Sequence, residues 1–343
     1  MSKLNKSRRN FLLLFFSIIS ILLFFTGCER EQYVTETRYL FGTNITIEAY
    51  TRNVSQTKEH INQAFQIMSD LDKNINTYSS TGDMHKLNTH LNTWVQVSSQ
   101  TIWLINEASK GSKITDGSYD ISVYPLLKLW GFNRLGKSQN YTLPSKRELK
   151  EACYHVNYKD IAIKGNEVKL SKPLQGVDVG SILKGYAVEQ ANNYLSSVGE
   201  NSAMVTAVSS IAVTGYKPGQ KPWQIGVQDP TNLKRYIGVL SLQGNDALGI
   251  SGNYENYIVI DGKRYTHIIN ARTGMPVTDM EMVVIVCQSA AQADLYSTAL
   301  FTQTPQKAID IINATPGMSG LVVDMQGKIY YSNQMKRYFK ETH

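Results

Sequence analysis

Hydrophobic and polar positions recur along this chain with two periods. Through KEHINQAFQIMSDLDKNI, residues Ile61, Ala64, Phe65, Met68, Leu71 and Ile75 fall at helical spacing and predict one buried face. TIWLINEASKGS predicts a second helix, stopped at Gly111, and GSILKGYAVEQANNYLSSVG a third, opened and closed by glycine. AAQADLYSTALF and PQKAIDIINA predict two more. Period-two patterning predicts a strand in RYLFGTNITIEAY and hairpins in YKDIAIKGNEVKLS, NYIVIDGKRYTHII and GLVVDMQGKIYYS, the last ending the fold. Further strands are expected in AMVTAVSSIAVTG, PWQIGVQDP, YIGVLSLQG, DALGISG and EMVVIVCQS, while residues 115–140 read as loop-rich. Helices and strands mix without strict βαβ alternation, which predicts an α+β fold in one interwoven unit over residues 38–343.

The first 27 residues obey a different logic. MSKLNKSRRN is basic, and FLLLFFSIISILLFF is a 15-residue apolar stretch, short of the ~20 residues that a spanning helix needs. Together they predict an export signal over residues 1–27 rather than a retained membrane anchor. FTGC resembles the bacterial lipobox, which implies cleavage before Cys28, lipidation of that cysteine and a short tether over residues 28–37. Two or more acyl chains suffice for stable anchoring. The expected location is therefore outside the cytoplasm, lipid-anchored to the outer face of a bacterial cell membrane. SRRNFL also resembles a twin-arginine signal, although so apolar a core favours general secretion.

This assignment changes the meaning of the charge. The formal net charge is +7, but Lys3, Lys6, Arg8 and Arg9 supply four charges with no acid beside them. About +3 is left on the remainder, so nucleic acid is not an expected partner. With Cys28 assigned to lipid, Cys153 and Cys287 are left, and Cys287 in its apolar strand is expected as a packed free thiol. GFNRLGKS satisfies the phosphate-loop pattern at residues 131–138. Neither a buried strand before it nor a helix directly after it is predicted, so it reads as a solvated loop.

Several polar clusters sit where elements change. GVDVGSILKGYA puts Asp178 before a helix start and Lys184 on its first turn, an arrangement suited to phosphate and equally to a plain capping turn. Asp294 and Thr298 lie four apart on one helix and can share a hard cation such as Mg²⁺, or merely a hydrogen bond. His267 ends a predicted strand, and His155 also lies in strand-like sequence; histidine can orient or deprotonate a hydroxyl near neutral pH. Tyr78 and Tyr119 are loop aromatics able to stack on a flat heterocycle.

In combination and in this order, FGTNITI, INTYSSTGDMHKLN, TDGSYDISVYPLLKLWGF, VDVGSILKGYAVE, KPWQIGVQDP, ISGNYENY, RYTHIINARTGMPV and ADLYSTALF resemble the ApbE family of FAD:protein FMN transferases. The resemblance implies a T-fold-like α+β transferase that takes FAD and Mg²⁺, attaches FMN to a threonine of an exported flavoprotein and releases AMP. The acceptor motif it implies is Asp-x-x-Thr-x-Ala-Thr or a close variant. By position it implies FAD contacts from Phe41, Tyr78, Ser118, Tyr119, Asp120, Asp178, Lys184, His267 and Ile268. Ser181, Asp294 and Thr298 stand at the metal positions, and His267 or Asp178 would orient or deprotonate the threonine. Phe41 stands where the family usually has methionine. Ser209 and Ser210 replace a glycine and an acid or amide, which puts the contacts of that strand in doubt. Two other activities stay open on sequence: FAD pyrophosphatase, and flavin binding without chemistry by a lipoprotein.

Overall fold

The computed structural model describes residues 31–134 and 141–342. The export signal, Cys28 and the second half of GFNRLGKS lie outside the described residues. Eight strands form the central sheet: β1 (Gln32–Leu40), β2 (Thr43–Thr51), β3 (Ser202–Ala207), β4 (Ser210–Gly215), β5 (Ala247–Gly252), β6 (Met280–Cys287), β7 (Ser319–Asp324) and β8 (Ile329–Tyr331). They stand side by side in chain order, every neighbour antiparallel. The helices are α1 (Val54–Ile75), α2 (Asp83–Thr89), α3 (Ser99–Ile114), α4 (Tyr124–Trp130), α5 (Lys146–Tyr154), α6 (Gly180–Ser197), α7 (Ala290–Phe301) and α8 (Pro305–Ala314). The mixed α+β architecture agrees with the sequence reading.

Both faces of the sheet are covered. One packs on the helices, joining Ile45 and Ile47 of β2 to Ile61, Phe65 and Met68 of α1 and to Ala187 and Ala191 of α6. The other packs on a three-stranded sheet of Trp223–Asp229, Asn232–Leu242 and Phe339–Glu341. Along β6, Met282, Val284 and Val286 enter the second core, while Val283, Ile285 and Cys287 enter a core under α7 and α8. A strand buried on both sides has no polar face to alternate with, hence the unbroken run MVVIVC. Cys287 is a buried free thiol as expected, its pKa pushed by burial up to about 11.

Six details differ from the sequence reading. Residues 32–37, expected within the tether, belong to β1, because VTETRYL pairs with β2 through its whole length. The single strand expected over 38–50 is a hairpin, turning at Phe41 (φ 53°) and Gly42 (φ 75°). Gly111 does not stop α3, which runs on to Ile114; a side chain there would press on Leu295 and the Tyr119 ring at 3.1–3.2 Å. His155 caps the C-terminal end of α5 rather than lying in a strand. In addition, α4 forms inside the expected loop, with Leu126, Leu127 and Trp130 buried and Gly131 at its left-handed exit. The chain also continues past the last hairpin to Phe339–Glu341, which pairs with Asn232–Leu242.

Candidate active site

Antiparallel order places the β1–β2 turn, the β3–β4 turn and the β5–β6 connection at one end of the sheet. The start of α6 and the last turns of α7 reach the same end. Phe41 is tied there by its amide, which donates to Asp72 Oδ2 of α1 at 2.9 Å.

Asp178 precedes α6. Its Oδ1 accepts the Gly180 amide at 2.7 Å, and its Oδ2, buried, has no partner. Burial raises the carboxyl's pKa, and the same carboxylate raises that of the neighbouring Tyr78 hydroxyl. In the first turn of α6, the Ser181 and Tyr119 hydroxyls share a hydrogen bond of 2.6 Å. Lys184 follows, and its positive charge acts on Asp178, Asp294, Glu255 and His267 together. It is the electrostatic centre of the cluster.

Asp294 is held from two sides. Its Oδ2 accepts the Gly185 amide of α6 at 2.8 Å. A β-carbon at Gly185 would lie 2.2 Å from Ala290 O, and one at Gly249 of β5 would lie 2.6 Å from Asp294 N. Only glycine at both positions lets α7 settle this deeply. Thr298 Oγ1 donates back to Asp294 O at 3.3 Å and meets Ser251 Oγ at 3.1 Å. Burial raises the Asp294 pKa, against Lys184 and the Gly185 amide.

His267 sits in the β5–β6 connection. Its Nδ1 lies 3.0 Å from Asn256 O, so the proton belongs on Nδ1 and the Nε2 lone pair is left over. Burial first, then Lys184, lowers its pKa to about 4 against the Asn256 bond, so the ring is neutral at physiological pH.

The structure thus gathers Phe41, Tyr78, Tyr119, Asp178, Ser181, Lys184, His267, Asp294 and Thr298 at this end of the fold. Ser118, Asp120 and Ile268 point their side chains elsewhere. Residues 118 and 119 lie in a bend after α3, in which the Tyr119 hydroxyl reaches Ser181 while its neighbours bond elsewhere. Ser118 Oγ bonds Thr302 Oγ1 at 2.8 Å, and Asp120 accepts from Ser122 and the Tyr158 amide. Ile268 packs in the core under α7 and α8. Sequence reasoning missed Glu255, three residues past β5, whose pKa burial raises to about 7. An acid inside ISGNYENY carries no spacing signal that would single it out.

Among the described residues, no group of three or more His, Cys, Asp or Glu side chains is placed to hold a metal. The donors here are one carboxylate and hydroxyls, all hard oxygens. That set fits Mg²⁺, which keeps several waters and takes its remaining oxygens from a phosphate. The unpartnered Asp178 Oδ2 fits a site made to receive a polar ligand.

The ApbE family model matches residues 41–322. The chain is 26% identical over 329 residues to an FAD:protein FMN transferase of Vibrio cholerae, covering 94% of this chain and 98% of that protein. It is 24% identical to the Escherichia coli K12 protein of the same name, covering 94% and 96%. Among solved structures, the ApbE protein of Thermotoga maritima superposes with a TM-score of 0.83 at 32% identity, covering 90% of this chain and all of that one. The flavin transferase ApbE of Vibrio cholerae gives 0.80 at 25%, covering 90% and 99%. With the family pattern spanning most of its length and the fold matching throughout, the chain belongs to the ApbE family.

Proposed function

We propose that this protein transfers the FMN part of FAD to a threonine hydroxyl of an exported flavoprotein, releasing AMP, in a Mg²⁺-dependent reaction. The observation that carries the reading is the convergence, around Lys184, of Asp178, Asp294 and a neutral histidine with its Nε2 uncommitted. The acceptor threonine Oγ attacks the flavin-side phosphorus, the P–O bond to the AMP phosphate breaks, and AMP leaves with the electron pair. His267 Nε2 takes the threonine proton. Its pKa is low in the free site, and the negative pyrophosphate brought by FAD raises it toward a useful value. Asp178, with one oxygen unpartnered, is the other group able to take that proton.

Lys184 binds the pyrophosphate as a point charge, and Tyr78, exposed at the rim beside Asp178, offers a face for the flavin ring. Asp294 and Thr298, with Ser181, would hold Mg²⁺, which when bound offsets the charge that develops on the leaving phosphate. The acceptor is expected to carry an Asp-x-x-Thr-x-Ala-Thr-like motif. Residues 1–27 and Cys28 would export the chain and anchor it by lipid to the outer face of the cell membrane, where that acceptor is met.

The test is incubation with FAD, Mg²⁺ and an acceptor domain, followed by denaturing electrophoresis and in-gel flavin fluorescence. Label retained on the denatured acceptor supports transfer. Free FMN and AMP with no label would make the protein a pyrophosphatase, and FAD bound without turnover would make it a passive flavin carrier.

A further inference from the structure

Ser210 opens β4 with its side chain fully buried and its hydroxyl without a hydrogen-bond partner. Its ladder partners on either side are Ala207 of β3 and Gly249 of β5, neither bearing a polar side-chain atom. A small apolar residue would therefore fill this position without leaving a hydroxyl unsatisfied. Gly249 is also where α7 touches the sheet: a β-carbon there would lie 2.2 Å from Ala293 O and 2.6 Å from Asp294 N. The hydroxyl is thus carried to the underside of Asp294. Ile211 and Val213 of the same strand enter the core on the opposite face and Ala212 the core on the helix side, so Ser210 faces the helices beside Gly249, its hydroxyl making no hydrogen bond in the free site. The Asp294 carboxylate is gripped from α6 through Oδ2 by the Gly185 amide.

We infer that Ser210 is a positioning residue for Asp294, its Oγ–H closing onto the carboxylate when a cation draws that carboxylate into its coordination shell. The backbone amide from α6 and the hydroxyl from β4 then fix the carboxylate from two elements at once. A ligand fixed in this way holds its metal better than one free to rotate. The inference rests on the Mg²⁺ reading above.

The experiment uses the full mature chain with FAD present and no acceptor. Mn²⁺ is titrated in, and the free ion is read by electron paramagnetic resonance. Metal-free melting temperatures are measured in parallel for wild type, Ser210→Ala, Ser210→Cys and Asp294→Ala. The expected result is an Mn²⁺ dissociation constant raised about 10-fold in Ser210→Ala, with a metal-free melting temperature equal to or above wild type. Ser210→Cys, close in volume but a poor donor, weakens Mn²⁺ similarly and decides the matter if the alanine variant does not fold. An unchanged dissociation constant in both Ser210 variants, while Asp294→Ala loses binding, overturns the inference and leaves the metal reading standing. Wild-type Mn²⁺ affinity in Asp294→Ala overturns the metal reading itself.

Discussion

The two ends of α6 bury polar groups in opposite ways. Past its C-terminal end, Glu200 accepts the Thr57 hydroxyl at 2.9 Å and lies 2.8 Å from His60 Nδ1; Thr57 in turn meets Thr51 Oγ1 at 2.8 Å. That cluster closes on itself. At the N-terminal end, the neighbouring Asp178 Oδ2 and Thr77 Oγ1 lack a partner of full hydrogen-bond geometry, and burial shifts the pKa values of Asp178 and Glu255 up and that of His267 down. Burying a polar group is costly unless a hydrogen bond compensates it. Compensation from within marks scaffold; compensation withheld marks a place prepared for a ligand.

This contrast can be broken by mutation. Asp294→Ala should reduce flavin transfer by about 10³-fold under saturating Mg²⁺, since it removes the one carboxylate of the metal set; wild-type rates would end that assignment. His267→Gln should cost about 10²-fold in the same assay. It should also change the pH dependence of stability. In wild type the folded histidine has a pKa of about 4, so as pH falls from about 6.5 toward 4 the unfolded chain binds a proton that the native state refuses. Stability drops across that window, and melting temperatures of the variant should fall less steeply there. Glu255, raised to about 7, acts with the opposite sign and is common to both proteins.

At the closed end the expectation reverses. Glu200→Ala should leave transfer unchanged and lower stability by about 2 kcal/mol, because Thr57 and His60 lose a buried acceptor; denaturant melts paired with the fluorescence assay decide it. The smallest effect belongs to Val208, a β-branched residue held at φ 53° in the β3–β4 turn. Val208→Gly should gain about 1 kcal/mol by relieving left-handed strain, readable as a rise in the denaturation midpoint.

Much of this was legible from residue spacing. The buried face of α1, the glycine-bounded span of α6 and the two-faced burial of β6 follow from periodicity and length alone. Asp294 and Thr298 were legible as a pair because one helical turn separates them. The Phe41–Gly42 and Val208–Ser209 turns were not, since an apolar residue in a left-handed conformation contradicts local preference and is held there by the surrounding sheet. The internal bonds of the Ser118 and Asp120 side chains were not legible, since their partners Thr302 and Tyr158 are brought to them only by the fold. Glu255 was out of reach, because its altered protonation comes from Asp294 and from burial, which only the folded chain brings to it.

The chain-order sheet bears on when the molecule becomes active. Each strand joins the edge left by the one before it, so the sheet can grow in the direction of synthesis. The site, however, draws on residues from Phe41 in the first turn to Thr298 in α7, and α7 follows the sixth strand. A partly synthesised chain can have paired strands but no complete site. The gathering of Phe41, Lys184, Asp294 and Thr298 is thereby postponed until nearly the whole polypeptide has been made.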